Sequence, residues 1–433
     1  MSNENTTGRI TAITNARVFD GESSLGVRTV VLNGAYIESV GTVGTAGSVG
    51  SIGSAGSVGS AGDEIPDGAA IINAEGMTLL PGLIDSHVHT DMEGLRDALK
   101  FGVTTELEMN GHWSKKQRRE IAERMDMADL RTSCMGATPK GGHPTEYMNS
   151  MANPIIRMYV RLFYPTVETQ EAAVKFVDKQ IAVGADYIKV FIEDGSCIGF
   201  PGLAVLRDDV LKAVIDEAHR RHKLTVVHTT TLDAARRAVD AGIDCLGHLF
   251  FDHGPDAALI SKLKAADVFV IPTLVTLSTA FGNSAAEFAA DERVRSRLDQ
   301  KWLDSLSRSM NVYPQGKLEN AYASIRALHN AGVDILAGSD VSDPLPILGG
   351  LAHGVSLHHE LRLLTAAGLT PTEALRAATS TPARRFGLDD RGRIAAGKRA
   401  DLLLVEGDPL TDISDTLSIN AVWRGGTKIG GDV

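Results

Sequence analysis

Several things are missing from this chain, and each absence excludes something. No apolar run is long enough to cross a bilayer. The opening MSNENTTGRI has neither the basic start nor the apolar stretch of a secretory signal. A cytoplasmic location with no membrane partner is therefore expected. Cysteine is scarce: Cys134, Cys197 and Cys245 stand alone, with no paired spacing. That excludes a disulfide framework and fits a reducing compartment. Positive charge is in deficit, with 43 Lys and Arg against 54 Asp and Glu and a net charge of -11. The deficit is spread along the chain, which argues against nucleic acid or an anionic membrane as partner. Proline is absent from the run Gly41 to Gly62, where glycine falls at every third position. Without proline this is no collagen repeat, and a flexible loop between strands is expected over 41–62.

What is present is an ordinary globular balance over 433 residues, 43% hydrophobic and 22% charged. After Gly62 short apolar runs alternate with amphipathic ones. The strand-like runs are LLPGLIDSHVH, VTTELEMN, RTSCMGA, ADYIKVFIE, LTVVHT, CLGHL, VFVIPTL and DILAGSD. Helical patterns lie between them, such as TQEAAVKFVDKQIAVG and LDAARRAVDAG, each stopped by glycine. Eight such units predict an α/β fold, a closed (β/α)₈ barrel of the TIM-barrel kind, over residues 79–387. An open doubly wound sheet is the alternative, but no glycine-rich phosphate loop follows the first strand. The two chain ends are β-like and do not fit a barrel. Residues 1–78 and 388–433 are expected to form one small β-sandwich domain. The stretch from Val275 to Gln315 shows no strand pattern and is expected to form a lid or substrate wall.

The polar residues inside the apolar runs are the informative ones. His87 and His89 sit two apart at the end of the first strand, so both face the same side. Lys189 interrupts the fourth strand. His228, His248 and Asp340 end the fifth, sixth and eighth. Each has a plain structural alternative: a satisfied core histidine, a helix N-cap for Asp340, a snorkelling stem for Lys189. All six fall at strand ends in register, on the face where barrel enzymes carry chemistry. Imidazole and carboxylate together suit Zn²⁺ and similar divalent ions. A non-catalytic scaffold would be expected to have lost some of them.

The strings LLPGLIDSHVHT, YIKVF, VVHT, LGHL and AGSD resemble the amidohydrolase superfamily. The closing segment LHHELRLLTAAGLTPTEALRAATSTPARRFGLDDRGRIAAGKRADLLLVEGDP is similar to that of the imidazolonepropionase and Xaa-Pro dipeptidase-like branch. The resemblance covers nearly the whole chain. It implies a binuclear metal centre in which Lys189, carboxylated by CO₂, bridges two divalent ions, with zinc as the default. His87, His89 and Asp340 would hold one ion, and His228 and His248 the other. A water activated between them would be the nucleophile, with Asp340 as general base and then general acid. The implied activity is hydrolysis of an amide, N-acyl amino acid, dipeptide, lactam or ester. The alternative is a mononuclear cyclic-amidine hydrolase or deaminase, which lacks the lysine. A homo-oligomer is also implied.

The loop PKGGHPTEYM resembles a Gly-Gly-His loop whose histidine faces the substrate carbonyl, which puts His143 forward as a polarising donor. Lys140 and Tyr147 in the same loop, and Thr230 after His228, are candidate substrate contacts. The peptidase-like pattern His-Ala-Tyr-Thr is here His228, Thr229, Thr230, Thr231, and the Arg-Asp pair after strand two is replaced by ELEMNGHW. Equipment for a peptide carboxylate is thereby partly lost, and a neutral or aromatic amide, a lactam or an ester fits as well. Trp113 is expected in the core, and His358 and His359 on a helix surface.

Overall fold

The computed structural model describes residues 10–42, 65–149 and 154–429. Residues 43–62 of the glycine repeat and the first nine residues lie outside that set. Five strands precede the parallel units: β1 (Ile10–Phe19), β2 (Ser24–Asn33), β3 (Tyr36–Gly41), β4 (Ala70–Asn73) and β5 (Met77–Pro81). Seven parallel strands follow: β6 (Leu83–Val88), β7 (Val103–Glu108), β8 (Asp129–Thr132), β9 (Ile188–Phe191), β10 (Thr225–His228), β11 (Cys245–Gly247) and β12 (Phe269–Ile271). The chain closes with β13 (Leu402–Glu406), β14 (Ile419–Arg424) and β15 (Thr427–Ile429).

The parallel strands form two sheets, β6-β7-β8 and β9-β10-β11-β12. Two irregular segments join them. Ala137, beyond β8, exchanges backbone hydrogen bonds with Lys189 and Phe191 of β9. The segment DILAGSD bonds to β12 through Leu336 and to β6 through Ala337 and Asp340. Hydrogen bonding therefore passes round eight segments and returns to β6. Inside lies one apolar cluster to which most of them contribute, including Ile84, Leu107, Tyr187, Val226, Cys245, Phe269 and Leu336. Strands buried on both faces need continuous apolar sequence, which is why IKVF, TVVH and CLG carry so little polarity.

The eighth segment pairs only through isolated bridges at Ile335 and Val341. The single run LLPGLIDSHVH is divided between β5 and β6. Gly82 stands at the division, where a Cβ would lie 2.3 Å from the Thr104 hydroxyl, so only glycine lets the chain pass there. The helices follow their sequence signals. Gln170–Val183 is capped by the Thr169 hydroxyl and stopped by Gly184 at φ 113°.

The two chain ends share one mixed sheet of eight strands, in the order β15-β14-β13-β5-β1-β2-β3 with β4 on β1. The described residues thus give one continuous sheet where two layers were expected. Its hairpin β2–β3 turns at Gly34, φ 57°, directly after Asn33. Buried side chains from both ends, among them Ile13, Val30, Leu402 and Trp423, meet in one cluster.

A buried ionic knot fastens this sheet to the barrel. Asp129 of β8 lies 2.5 Å from Arg391, 3.3 Å from Arg399 and 3.6 Å from Arg424. Burial alone would push its carboxyl up, but Arg391 and the neighbouring guanidinium groups outweigh that and hold it far below the usual carboxylate range. Asp129→Asn should destabilise the protein by about 3 kcal/mol at neutral pH, because it strands buried cations. A depressed folded pKa gives stability that is present above the unfolded value, about 4, and lost as pH falls below it. Urea titrations of both proteins should therefore show a gap at pH 7 that shrinks below about pH 4. A constant gap would refute this account.

Candidate active site and metal centre

Six residues singled out in the sequence converge at the C-terminal ends of the parallel strands. His87 ends β6 and is fully buried. Its Nε2 lies 3.4 Å from Asp340 Oδ1 and 3.3 Å from Lys189 Nζ. His89, whose side chain is 29% exposed, brings Nε2 to 3.3 Å from the same Asp340 oxygen. His248 Nδ1 stands 4.0 Å from Asp340 Oδ2 and 2.8 Å from the Thr273 hydroxyl. His228 stands edge-on to His248 at 4.4 Å between ring centroids, and His143 is tilted against His228 at 4.5 Å. With His87 4.5 Å from His248, four imidazoles form a row across the barrel mouth.

The backbone is bent to make this row. His248 has φ 120°, Asp340 φ 54° and Thr273 φ 48°. Left-handed conformations at non-glycine residues cost of order 1 kcal/mol each and gather at functional sites. Asp85 holds the first and eighth segments in register. Its carboxylate accepts from the Ser339 amide and hydroxyl at 2.9 and 2.6 Å, and from the His87 amide at 3.2 Å.

The electrostatics are those of a desolvated cation site. Burial pushes the imidazoles of His87, His228 and His248 well below their usual pKa, which leaves them neutral donors. The pKa of Asp340 is lowered too, and against the effect of burial. Burial would raise its pKa, but His248 and His89 hold it below the ordinary value. Lys189 is completely buried, and burial brings it down to about 8. Among the described residues no carboxylate lies within 4 Å of its Nζ. Gly247 packs closely against it: a Cβ there would sit 3.2 Å from that nitrogen and 2.9 Å from a Val226 methyl, so glycine is what fits beside the lysine.

These residues fit a divalent ion. One donor atom each from His87, His248 and Asp340 lie within 4.8 Å of one another, and the buried His87 Nδ1 has no hydrogen-bond partner. The grouping differs from the expected His87, His89 and Asp340 set. Asp340 is the hub, with one oxygen toward His87 and His89 and the other toward His248. His228 faces Glu193 instead, with Nε2 3.1 Å from Oε2.

Of the candidate substrate contacts, His143, Tyr147 and Thr230 line the cavity above the row. Lys140 does not. The turn closed by the Gly142 amide on the Pro139 carbonyl carries its side chain out to solvent. His358 also differs from expectation. It is buried, bonded to the Thr416 hydroxyl and the Phe101 carbonyl, because its helix packs against the turn Ile413–Leu417 between β13 and β14. Trp113 lies in the main core, as expected.

Three carboxylates at the site escaped the sequence reading. Glu193 accepts from the Thr230 hydroxyl and faces His228. Glu146 contacts His143 Nδ1. Glu108 lines the cavity 4.0 Å from His89, and burial lifts its carboxyl to about 7. The signal for Glu193 was available: it lies four residues beyond Lys189, on the same face of the strand line.

A profile of the amidohydrolase family matches residues 78–429. The chain therefore belongs to the amidohydrolase family, and it is a hydrolase of carbon–nitrogen bonds. It is 25% identical to the ochratoxinase of Aspergillus niger over 256 residues, which is 57% of this chain and 47% of that one. Among solved structures, a Xaa-Pro dipeptidase with bound methionine is 20% identical, with a TM-score of 0.70 over 98% of this chain and 100% of that one. Molinate hydrolase is 18% identical, with a TM-score of 0.73 over 98% and 95%. These two likenesses show the fold, a TIM-type barrel with an additional domain.

Glu193 orients His228 through Nε2. Replacing it with alanine should weaken metal binding about tenfold or more, as loss of such outer partners does. Chelator competition would measure this. Unchanged affinity would remove Glu193 from the metal site.

Proposed function

We propose that this chain is a binuclear metal-dependent hydrolase of amide-type bonds. His87, His89, His228, His248 and Asp340 would hold two divalent ions, with zinc as the default, and Lys189 would join them as a carbamate. The observation that carries this reading is Lys189 itself. A lysine wholly buried among neutral imidazoles, with no carboxylate among the described residues within 4 Å of its Nζ, is costly as a cation. Reaction of its neutral amine with CO₂ forms an N–C bond, releases one proton and turns the side chain into an anion suited to that place.

Divalent ions bound here would acidify a water and polarise the scissile carbonyl. The rest falls to the chain. Asp340 takes the proton of the attacking water on a carboxylate oxygen and returns it to the leaving nitrogen. His143, fixed at Nδ1 by Glu146, turns Nε2 to the substrate oxygen as a hydrogen-bond donor. The apolar residues above the row exclude bulk water from the reacting bond. The names of the relatives, a dipeptidase and an ochratoxinase among them, support a carbon–nitrogen bond as the target.

A second reading has its own observation. Only His87, His248 and Asp340 come within 4.8 Å as a trio among the described residues, which suits a single ion. That reading is the mononuclear cyclic-amidine hydrolase or deaminase. Metal analysis of protein expressed with zinc and purified in bicarbonate without chelator separates the two. The binuclear reading expects about two equivalents per chain, with Lys189→Ala losing one equivalent and about a thousandfold or more in kcat/KM. One equivalent in the wild type, with Lys189→Ala unaffected, would establish the second.

A further inference from the structure

The cavity above the histidine row holds about 400 Å³, the size of a pocket for a small organic molecule. Its floor is polar and reactive. Its outer wall is apolar and comes from the loop after β11, the long insertion after β12 and the segment after Asp340. Phe251, Leu277, Ala280, Met310, Val312 and Leu348 face into it. The wall is braced from behind: the Phe251 ring packs edge-on against Phe281 and Tyr313, each at 5.6 Å. Such a surface is already formed, so an apolar group gains burial there without ordering the wall first.

The charge of the cavity is one-sided. Among the described residues that line it there is no lysine and no arginine, while Asp91, Glu108, Asp340 and Asp343 all do. Asp91 and Asp343 are exposed at the mouth. Lys189, beneath the floor, lies buried behind His87 and does not line the cavity. An anionic group on the non-reacting part of a substrate would lose its hydration against the apolar wall, find no cation there, and pass two aspartates on the way in.

We propose that the wall selects substrates whose non-reacting portion is an uncharged aryl or branched alkyl group, and rejects those carrying an anion there. Free dipeptides and other carboxylate-bearing amides are disfavoured, and neutral arylamides, carbamates and ureas are admitted. The selection rests on the hydrolase reading for its chemistry, but on the wall alone for its specificity. Phe251 and Val312 are the specificity-determining positions. Val312 is half-buried at the wall, so a lysine there brings its ammonium to the group that the wild type meets with a methyl.

The test uses two probes of similar shape, 4-acetamidobenzamide and 4-acetamidobenzenesulfonate. The first is neutral, and the second is an anion that ligates metals poorly. Calorimetric titration of zinc-loaded protein should give the carboxamide at least a tenfold lower Kd. Val312→Lys should cut that preference at least fivefold, and Phe251→Ala should weaken the neutral probe about tenfold. Equal binding, tighter sulfonate binding or binding of neither probe by the wild type would overturn the proposal. Turnover is followed separately. Preference in binding without hydrolysis of any amide refutes the hydrolase reading and upholds the wall. Hydrolysis of both probes at equal kcat/KM upholds the hydrolase and overturns the wall.

Discussion

The site is built around the cost of placing charge inside a barrel. Among the carboxylates of the described residues Asp340 alone comes within 4 Å of all three of His87, His89 and His248, and it ends a segment that belongs to no regular ladder. Lys189 enters the same space from β9, and among the described residues no carboxylate lies within 4 Å of its Nζ. Burial keeps the imidazoles of His87, His228 and His248 neutral. The depressed imidazole pKa values, the left-handed backbone at His248 and Asp340, and the glycine at position 247 all follow from holding these groups together in a dry place. Strain and desolvation are tolerated where a bound cation repays both.

That arrangement needs a rigid frame, which is provided in two layers. Asp85 ties β6 to the segment before Asp340 through Ser339, so the first and last parts of the ring cannot slip past one another. Further out, Asp129 gathers arginines from three places in the C-terminal region. Chain segments more than 250 residues apart in sequence are thereby locked to one barrel strand. The reacting face is left to loops and short helices, which can vary without disturbing the frame. The apolar wall is such an addition.

Much of the frame was legible because it rests on local rules. The eight apolar runs, the helix caps at Thr169 and Gly184, and the Asn33–Gly34 turn each depend on a few neighbouring residues. His87 and His89 could be placed on one face by strand alternation alone. The partners were not legible. Glu146 reaches His143 across a helical turn in a loop of uncertain form, and Glu193 meets His228 from an adjacent strand. His358 sits in a helix whose sequence reads as exposed, yet the turn between β13 and β14 covers it. Lys140 was drawn toward the substrate by its neighbours in sequence, and a tight turn sends it the other way.

By itself the sequence determined the alternation of strands and helices, the terminal β strands and the set of residues able to bind metal. These follow from periodicity and side-chain chemistry, which are properties of the residues in order. Only the tertiary structure decided which histidines share Asp340, which carboxylate stands behind each imidazole, and that no cation among the described residues lines the cavity. Those are contacts between segments far apart in the chain, set by ring closure and by how the insertion folds back over the mouth.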